Sequence, residues 1–533
     1  MRGTTNLLPS VLVTVVLLVV SGALFATGAQ EAATAPGLEA IGFRATGYPI
    51  VDEPVTIEAV IVRPGHRTSP FSENIVMNEI QERTNVFIDW EELPEAQATE
   101  RVNLMFASRE FPHVFFAAGG GHNDSNIYTA ARGGDIYRLN DYLDRYAPNW
   151  ANLLDEYPIV KNAITFADGG IYSLPFVRDV VIDDVRDLQL INTDWLATVG
   201  MPKPTTLDEF REVLRAFRRE IDDGTLPSSG VPWYFRFRQA VGGEVELYGS
   251  FGMYVYDDTF LSVADGTVEF AAVDPRMMDA LEYLHGMYAE RLFPEEVFTD
   301  PWDSYIAKRN SVPPIIGAVG SFHNVPAMQP YFDAIPPLPA EGADKPLFRS
   351  QPMRIQKNQF TVMTRFPYPE VAVRFINESA IPETALEMQW GRVGHELEER
   401  NGRLVQLGGI SPSDLDQVRP NNFIASFLPR GISDRIEWDG VFALRAEYIR
   451  TYYQPYLWPQ ERHFPLVTYT DEEREELSIL ETEIYDYIEA THAGWIVNGG
   501  VRQGWDGYIR QLERLGYERM LEIYQTALDR MGG

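Results

Sequence analysis

The sequence predicts an α/β protein built from two strand–helix blocks and a helical C-terminal region. Three observations lead to this fold class. Strand-like and helix-like segments alternate through residues 55–118 and again through residues 187–322. From Thr470 onward the pattern is helical. Alternation of this kind predicts sheets of parallel strands that are joined by right-handed crossovers.

In the first block, "VTIEAVIV" (Val55–Val62) and "NVFIDWEEL" (Asn85–Leu93) have strand patterns. The helix "ENIVMNEIQERT" separates them, and Ser72 is its predicted N-cap. The helix "AQATERVNLMFAS" then leads to a third, apolar strand that ends in Gly119–Gly121. Ligands of such sheets bind beyond the carboxyl ends of the strands, which is where Glu92 and the three glycines fall.

The second block begins with a predicted strand at Asp187–Leu196. The helix "TLDEFREVLRAFRREI" follows, and its residues Thr206 and Glu209 match a capping box. A further helix is predicted to begin with Asp274 as its N-cap and proline at its first position. "PIIGAVGSF" (Pro314–Phe322) is an apolar strand that ends in small residues, as the third strand of the first block does.

The composition excludes several kinds of partner and site. The 533 residues include 77 acidic and 45 basic side chains, which give a net charge of −32. A field of that sign repels polyanions, so we expect no nucleic-acid partner. The chain has no cysteine, which excludes disulfides, thiolate metal sites, cysteine nucleophiles and a lipid-modified N-terminal cysteine.

The N-terminus has the pattern of a secretory signal peptide. A positive charge at Arg2 precedes an apolar stretch whose centre, Val11–Val20, has the length of a signal-peptide core. Small residues at Thr27 and Ala29 predict cleavage before Gln30. We therefore expect a signal peptide over residues 1–29, a linker over 30–51, and an exported protein, periplasmic or extracellular, that is soluble after cleavage. The alternative is a retained membrane anchor, since the stretch is long enough to span a bilayer.

Tests for known chemical motifs are negative. The run Gly119–Gly121 lacks the residues of a P-loop or of a dinucleotide-binding turn. It is either a tight turn without a ligand or a turn that brings main-chain N–H groups to a neutral ligand. The eight histidines are scattered without metal-ligand spacing, so no metal and no cofactor is predicted. No nucleophile motif is present, and a glycosidase pair cannot be chosen among so many acids without geometry.

Aromatic residues recur in segments that lack a core pattern, often beside arginine. These segments are "PWYFRFRQA", "LYGSFGMYVYDD", "DPWDSY" and "MQWGRVGHE". Aromatic faces stack on the C–H faces of sugar rings, while charged and amide groups bond the hydroxyls. The alternative for any one of these aromatics is ordinary core packing.

Five longer segments follow one another along the chain: "TNVFIDWEELPEAQATERVNLMFASREFPHVFFAAGG", "LNDYLDRYAPNWANLLDEYPIVKNAITFADGGIYSLPFV", "NTDWLATVGMPKPTTLDEFREVLRAF", "VEFAAVDPRMMDALEYLHGMYAERLFPEEVF" and "GGVRQGWDGYIRQLERLGYERMLEIYQTALDR". In this order they resemble extracellular solute-binding proteins (family 1-like) of carbohydrate ABC importers, in the subgroup of the alginate-oligosaccharide-binding proteins. One place departs from the alginate-binding members. The acidic calcium loop expected after the "LRAF" helix is reduced to Asp222, Asp223 and Gly224, so we expect no calcium there.

The resemblance implies a two-lobed periplasmic-binding-protein-like fold (type II) whose lobes are joined by a hinge. Lobe 1 would take residues 52–176 and 318–379, and lobe 2 would take 177–317 and 380–533 with the C-terminal helices. The first hinge would lie at Tyr172–Pro175. The protein would be a monomer without enzymatic activity that captures an oligosaccharide between the lobes and delivers it to the permease subunits of an ABC importer.

The predicted ligand-binding residues combine strand ends with family position. They are Glu92, Gly119, Gly120, Gly121, His122, Tyr172, Trp233, Arg236, Phe251, Trp302, Phe322, His323, Trp390 and Arg392. Arg236 or Arg392 would meet any carboxylate of the sugar. Two other readings remain: a secreted polysaccharide-active enzyme, a glycosidase or lyase, and a receptor lobe that signals instead of transporting.

Overall fold

The computed structural model of the protein describes residues 37–65, 67, 69–239, 241–256, 259–322, 330–343, 345–351, 353–407, 412–420 and 424–531. The predicted signal peptide, part of the predicted linker and His323 lie outside these residues. Within them, two separate sheets each have a core of their own. One cluster of buried side chains draws on residues 41–177 and 360–427, and the other on residues 185–348 and 448–524. The chain therefore folds as two lobes.

The regular elements of the described residues are the following. Fifteen strands are present: β1 (Val55–Arg63), β2 (Val86–Pro94), β3 (Val114–Phe116), β4 (Leu174–Arg178), β5 (Leu188–Asn192), β6 (Val231–Tyr234), β7 (Leu261–Ala264), β8 (Thr267–Phe270), β9 (Ile316–Ser321), β10 (Phe332–Ala334), β11 (Arg354–Val362), β12 (Leu397–Arg400), β13 (Arg403–Gln406), β14 (Ser426–Leu428) and β15 (Ile436–Glu437). Nineteen α-helices accompany them: α1 (Ile75–Thr84), α2 (Glu95–Ser108), α3 (Asp124–Arg132), α4 (Asn140–Tyr146), α5 (Pro148–Glu156), α6 (Pro158–Ile164), α7 (Thr193–Val199), α8 (Leu207–Asp222), α9 (Val245–Ser250), α10 (Arg276–Ala289), α11 (Trp302–Arg309), α12 (Pro369–Ile376), α13 (Pro382–Trp390), α14 (Pro412–Val418), α15 (Arg430–Ser433), α16 (Gly440–Tyr448), α17 (Asp471–Asn498), α18 (Val501–Leu515) and α19 (Tyr517–Met531).

Lobe 1 is built on a six-stranded sheet with the order β14-β4-β11-β3-β1-β2. The predicted parallel order of the first block is confirmed, because β1 pairs in parallel with both β2 and β3. The sheet is mixed, however, since β11 runs antiparallel between β3 and β4. The carboxyl ends of β1, β3, β4 and β14 and the start of β11 therefore share one edge of the sheet.

The helix between the first two strands is capped differently from the prediction. α1 begins after Asn74, whose side-chain oxygen accepts from the N–H of Met77 at 2.9 Å. The predicted cap, Ser72, lies one turn earlier, in a short 3₁₀ segment at Phe71–Glu73. Asn74 is therefore the N-cap, because its side chain accepts from the N–H of the residue three positions later.

Lobe 2 is built on a four-stranded sheet with the order β10-β5-β9-β6. Its helix α8 begins at the predicted cap, where Thr206 accepts from the N–H of Glu209 at 3.2 Å. The Glu209 carboxylate returns to the N–H of Thr205, one residue before the position that a capping box requires. α10 begins at Arg276, and the predicted cap Asp274 accepts from the N–H of Arg276 at 2.8 Å.

The predicted helical C-terminal region is confirmed by α17, α18 and α19. A capping box between Thr470 and Glu473 starts α17, a helix of 28 residues. The buried faces of all three helices belong to the core of lobe 2. In the part of the chain that the structure describes, no helix combines the length and the apolarity that crossing a membrane requires.

Three crossing segments join the lobes. Segment 1 (179–187) connects β4 to β5, segment 2 (335–353) connects β10 to β11, and segment 3 (429–447) connects β14 to the helices of lobe 2. An antiparallel bridge between Val185 and Ser350 joins the first two segments. Segment 3 reaches segment 1 through Arg430, whose guanidinium pairs with Asp179 at 2.7 Å and also with Asp184.

These strand pairings correct three predicted boundaries. β9 pairs with β5 and β6, so residues 318–321 belong to lobe 2. β14 pairs with β4, so lobe 1 extends to residue 428. The first crossing comes after β4 and not at Tyr172, which is packed inside lobe 1. The local sequence pattern does not reveal which sheet a strand joins, because strand pairing depends on contacts between residues that are far apart in the chain.

Candidate ligand-binding cleft

A cleft lies where the three crossing segments meet, with a cavity volume of about 240 Å³. We call it the hinge cleft. Its wall takes residues from lobe 1, lobe 2 and the crossing segments: Ile159, Asp183, Arg186, Tyr256, Phe322, Gln351, Met353, Arg354, Ile355, Gln460, His463, Phe464, Pro465 and Leu466. A second cavity of about 260 Å³ continues it toward Arg178 and Arg430 and shares six wall residues. An open groove of about 720 Å³ at Glu58, Asp89 and Arg365 involves lobe 1 alone.

Phe322 forms an aromatic face of the hinge cleft. It follows β9, and its ring centroid lies 3.8 Å from the guanidinium carbon of Arg445. Arg445 is fully buried and donates to the carbonyl oxygens of Ile182, at 2.6 Å, and of Val185. Burial lowers the pKa of Arg445 to about 10. Arg445 therefore links segment 3 to segment 1, and its guanidinium packs against the ring of Phe322.

A histidine, His463, lies on the lobe 2 side of the wall. Nε2 of His463 lies 2.6 Å from the hydroxyl of Ser350, and that hydroxyl donates to the carbonyl of Trp458 at 3.0 Å. The serine has one hydrogen, so the tautomer of the ring depends on its direction: while the hydroxyl donates to Trp458, Nε2 carries the ring proton, and while it donates to Nε2, Nδ1 carries it. Nδ1 is buried without a hydrogen-bond partner among the described residues. Burial, followed by the charge of Arg349, lowers the pKa of His463 to about 4, so the ring is neutral.

A buried ion pair supports Tyr256, which packs edge-on against His463 at a centroid distance of 5.1 Å. Arg349 pairs with Glu246 at 2.5 Å and donates to the carbonyl of Tyr256 at 2.6 Å. Burial lowers the pKa of Arg349, but the charges of Glu246 and Asp187 reverse this and hold the pKa above its usual value. The cleft wall of lobe 2 therefore rests on a buried and charged scaffold.

The mouth of the hinge cleft is apolar and takes side chains from both lobes. Ile159, on α6 of lobe 1, is 41% exposed, and Leu466, on lobe 2, is 45% exposed. Large aliphatic side chains are usually buried, so this pair offers a surface for the apolar face of a ligand. Beyond the mouth the lobes touch directly, because the hydroxyl of Thr468 donates to the carbonyl of Thr165 at 2.9 Å.

Among the predicted site residues that the structure describes, only Phe322 lies in the wall of the hinge cleft. Trp302, on α11, is 43% exposed, and the guanidinium carbon of Arg236 lies 5.4 Å from the centroid of its ring. It stacks on Tyr305, whose hydroxyl donates to the carbonyl of Gly320 at the end of β9. Neither Trp302 nor Arg236 lines the hinge cleft, and their role in ligand binding stays a prediction.

The predicted glycine loop is a tight packing contact. A β-carbon on Gly121 would lie 2.7 Å from the carbonyl oxygen of Thr99 and from Cβ of Val102, both on α2. The next residue, His122, is buried against Phe115, and its Nε2 lies 3.0 Å from the hydroxyl of Thr361. The structure therefore favours the tight-turn interpretation of this loop.

The remaining predictions fall away from the hinge cleft. Glu92 accepts from the N–H of Phe71 at 2.7 Å, and Tyr172 donates to Asp168 at 2.7 Å inside lobe 1. Three aromatics, Trp233, Phe251 and Trp390, pack against other aromatic rings of their lobes. Arg392 pairs with Glu396 and Glu79. These side chains pack or pair inside one lobe, and the prediction missed that.

About half of the wall residues that sequence reasoning missed lie on the crossing segments or at the start of β11. Arg186, Gln351, Met353 and Arg354 come together only because the segments cross side by side. Tyr256 belongs to the aromatic segment "LYGSFGMYVYDD", from which Phe251 was predicted as the site residue. His463 carried no local signal.

Comparisons with known proteins agree with this geometry. No family model matches the chain. The fructooligosaccharide ABC transporter substrate-binding protein FusA of Streptococcus pneumoniae serotype 4 is 27% identical over 480 residues, which cover 86% of this chain and 87% of FusA. The crystal structure of FusA with kestose superposes with a TM-score of 0.74 at 24% identity over 90% of this chain and 99% of that one.

The chain has the solute-binding-protein fold. An extracellular solute-binding protein from Bifidobacterium longum subsp. infantis superposes with a TM-score of 0.77 at 18% identity over 90% of this chain and 99% of that one. The alginate-binding protein AlgQ2 superposes with a TM-score of 0.65 at 20% identity over 91% and 100%. The predicted two-lobed fold and the resemblance to solute-binding proteins of ABC importers are confirmed.

Proposed function

We propose that this protein is the substrate-binding component of an ABC importer and that it captures an oligosaccharide in the hinge cleft. One observation carries the proposal: the cleft lies at the crossing of the two lobes and takes its wall from both. Relative motion of the lobes then opens or closes the site, and a ligand that touches both lobes favours the closed form.

The chemistry of the wall suits a sugar. Phe322 and Tyr256 offer aromatic rings, and Gln351 and Gln460 offer amide donors and acceptors. A cleft that is mostly apolar and carries a few convergent polar groups fits a ring with C–H faces and hydroxyl edges. FusA, the relative matched over most of its length, is named for fructooligosaccharides.

The same wall argues against a glycosidase. Its carboxylates, among the described residues, are Asp179, Asp183 and Asp184. Asp183 pairs with Arg178 at 2.8 Å, and the other two pair with Arg430. A glycosidase needs one protonated acid and one free carboxylate on either side of the scissile bond. These aspartates are engaged at the hinge, so we propose binding without turnover.

The test is calorimetric titration of a mature form that begins at Gln30 with a panel of neutral and uronate oligosaccharides. We expect saturable one-to-one binding to one class, recovery of that sugar unchanged, and an increase in thermal stability with ligand concentration. Slow loss of the sugar during incubation would favour the enzyme instead. Absence of binding across the panel would contradict the oligosaccharide assignment.

We further propose that the protein is exported by its N-terminal segment, acts as a monomer and delivers its ligand to permease subunits. Light scattering of the purified protein, with and without ligand, measures the oligomeric state. N-terminal sequencing of the secreted protein tests cleavage before Gln30, because a retained anchor would leave Met1 or Arg2 at the start of the chain.

A further inference from the structure

We infer that Arg445 is a positioning residue of the binding site: it fixes the ring of Phe322 against the crossing segments, so that the ring is already in place when the sugar arrives. Arg445 is not among the residues that line the hinge cleft. The inference rests on the proposed function and deepens it, because it names the group that holds an aromatic wall residue of the same site.

The first observation is that one guanidinium holds both the ring and a crossing segment. Arg445 belongs to segment 3 and is fully buried. Its Nε donates to the carbonyl oxygen of Ile182 at 2.6 Å, and its Nη2 donates to that of Val185, both on segment 1. Its guanidinium carbon lies 3.8 Å from the ring centroid of Phe322. At that distance the guanidinium covers one face of the ring, so a sugar meets the opposite face or the edge.

The second observation is that the partners of this buried charge are main-chain oxygens and a ring, and not a carboxylate, among the described residues. The acids nearest in charge are engaged elsewhere. Asp183 pairs with Arg178 at 2.8 Å. Asp187 lies 4.0 Å from Arg349. A carboxylate side chain can change rotamer, whereas the carbonyl oxygens of segment 1 move only with the segment. The place of Arg445, and with it the place of the ring, is therefore set by the main chain of the crossing.

The third observation is the position of the ring itself. Phe322 follows β9 directly, is half-buried and lines the same cavity as Gln351 and Gln460. A half-buried ring that sampled several rotamers in the free protein would lose that freedom on binding, at a cost in affinity. The contact with Arg445 removes the freedom before the sugar arrives. The site is therefore preorganised by a residue that the sugar does not touch.

Lobe 1 contains the same arrangement away from the hinge cleft. Arg67 donates to the carbonyl oxygens of Ser69 at 2.9 Å and of Pro420 at 3.1 Å. Its guanidinium carbon lies 4.1 Å from the ring centroid of Phe71, which is fully buried in the core of lobe 1. The ring that Arg67 holds does not line the cleft, whereas the ring that Arg445 holds does. Arg67 is therefore the matched control.

The test is a double-mutant cycle between Arg445 and Phe322, measured by calorimetric titration of the mature protein. The probe is the trisaccharide of the neutral and uronate panel that the wild type binds most tightly. Arg445→Lys keeps the charge but lacks the planar fork that reaches two carbonyl oxygens. We expect it to weaken binding about three- to tenfold in the wild type and less than about twofold in Phe322→Ala. Wild-type affinity in Arg445→Lys, or an equal loss in both backgrounds, would overturn the inference, because the arginine would then not act through the ring.

Arg67→Lys separates positioning from a general loss of stability. Both lysine variants should lower the melting temperature in thermal unfolding, because each leaves buried carbonyl oxygens without their donor. Only Arg445→Lys should lower the affinity, and Arg67→Lys should stay within about twofold of the wild type. Equal losses of affinity in the two variants would mean that binding follows stability, and this would also overturn the inference.

Nuclear magnetic resonance of the wild type gives a readout that does not require an Arg445 variant to fold. In protein labelled with ¹⁵N-arginine, the Nε–H signal of Arg445 is identified by its change in Phe322→Leu, because the guanidinium lies against the ring. We expect the probe trisaccharide to shift this signal and to leave that of Arg67 in place. An unchanged Arg445 signal in a protein that binds the trisaccharide would contradict the inference alone. Failure of every oligosaccharide of the panel to bind would count against the proposed function itself.

Discussion

Arg132 of lobe 1 and Asp471 of lobe 2 form an ion pair of 2.5 Å across the gap between the lobes. Arg132 ends α3, and Asp471 begins α17. Nearby, Asn162 of α6 donates to the carbonyl of Met531 at 3.3 Å. The structure therefore shows the lobes in contact, and opening would break these polar contacts.

Removing the pair should shift the lobes toward the open form. Because both side chains are more than half exposed, the pair is worth less than about 1 kcal/mol. We expect Arg132→Ala and Asp471→Asn each to weaken ligand binding about two- to fivefold, measured by titration calorimetry, and to be non-additive in the double variant. The matched control is Arg109→Ala, which breaks an exposed pair with Asp135 inside lobe 1. An equal effect of the control, or full additivity, would mean that the contact does not report on closure.

The ring of Phe322 should contribute directly to affinity. We expect Phe322→Ala to weaken oligosaccharide binding about tenfold, since aromatic contacts are worth about 1 kcal/mol beyond the area that they bury. Phe322→Tyr should keep most of the affinity, because the ring face is retained. Phe87→Ala changes a phenylalanine that is exposed on lobe 1 and should leave binding unchanged. Wild-type affinity in Phe322→Ala would place the ligand elsewhere.

Much of the fold could be predicted from the sequence because its signals are local. The alternation of β1, α1, β2 and α2, the Thr206 cap and the helical C-terminus depend on residues close together in the chain, and the structure has them. The lobe boundaries could not be predicted in the same way. Whether β9 joins β5 or a strand of lobe 1 is decided by pairing partners more than a hundred residues apart.

The candidate site was predicted less well for a related reason. Trp233 and Trp390 lie in segments whose composition suits stacking on sugar rings, yet both side chains are buried against other aromatic rings. Aromatic content alone therefore does not distinguish a core from a cleft. The wall of the hinge cleft is assembled from crossing segments with little periodicity. The family resemblance predicts the two lobes. Arg186 and Arg354 come to line one cavity only because the segments that connect the lobes cross side by side.

The glycine loop offers a test between its two interpretations. Gly121→Ala would place a methyl group 2.7 Å from α2, so we expect a loss of about 1–3 kcal/mol in the free energy of unfolding. Ligand affinity at a temperature where the protein is folded should stay unchanged. Gly507→Ala, on α18, is the control and should be neutral or slightly stabilising, because its β-carbon would meet only the end of the Arg510 side chain, at 4.0 Å. Lost affinity with unchanged stability would restore the loop as a source of ligand contacts.

Buried histidines and glutamates give the stability of the protein opposing dependences on pH. Burial lowers the pKa values of His122 and His463 to about 4 and of His492 to about 3. Between these values and the usual pKa of about 6.5, the unfolded chain binds more protons, so each histidine lowers stability as the pH falls. Burial raises the pKa of Glu244 and Glu246 to about 7, so each of these glutamates lowers stability as the pH rises from about 4.5 to 7.

Variants separate these two contributions. Between pH 7 and pH 5 the titration of one such histidine removes about 2 kcal/mol of stability. We therefore expect the free energy of unfolding of His122→Gln to fall by about 2 kcal/mol less than that of the wild type when the pH is lowered from 7 to 5. Urea titration of both proteins at the two pH values measures this difference. Glu244→Gln should have the opposite effect, because it removes a group that favours the folded state at low pH. His395→Gln changes an exposed histidine and should follow the wild type. If His122→Gln also follows the wild type, then His122 titrates in the folded protein as it does in the unfolded chain.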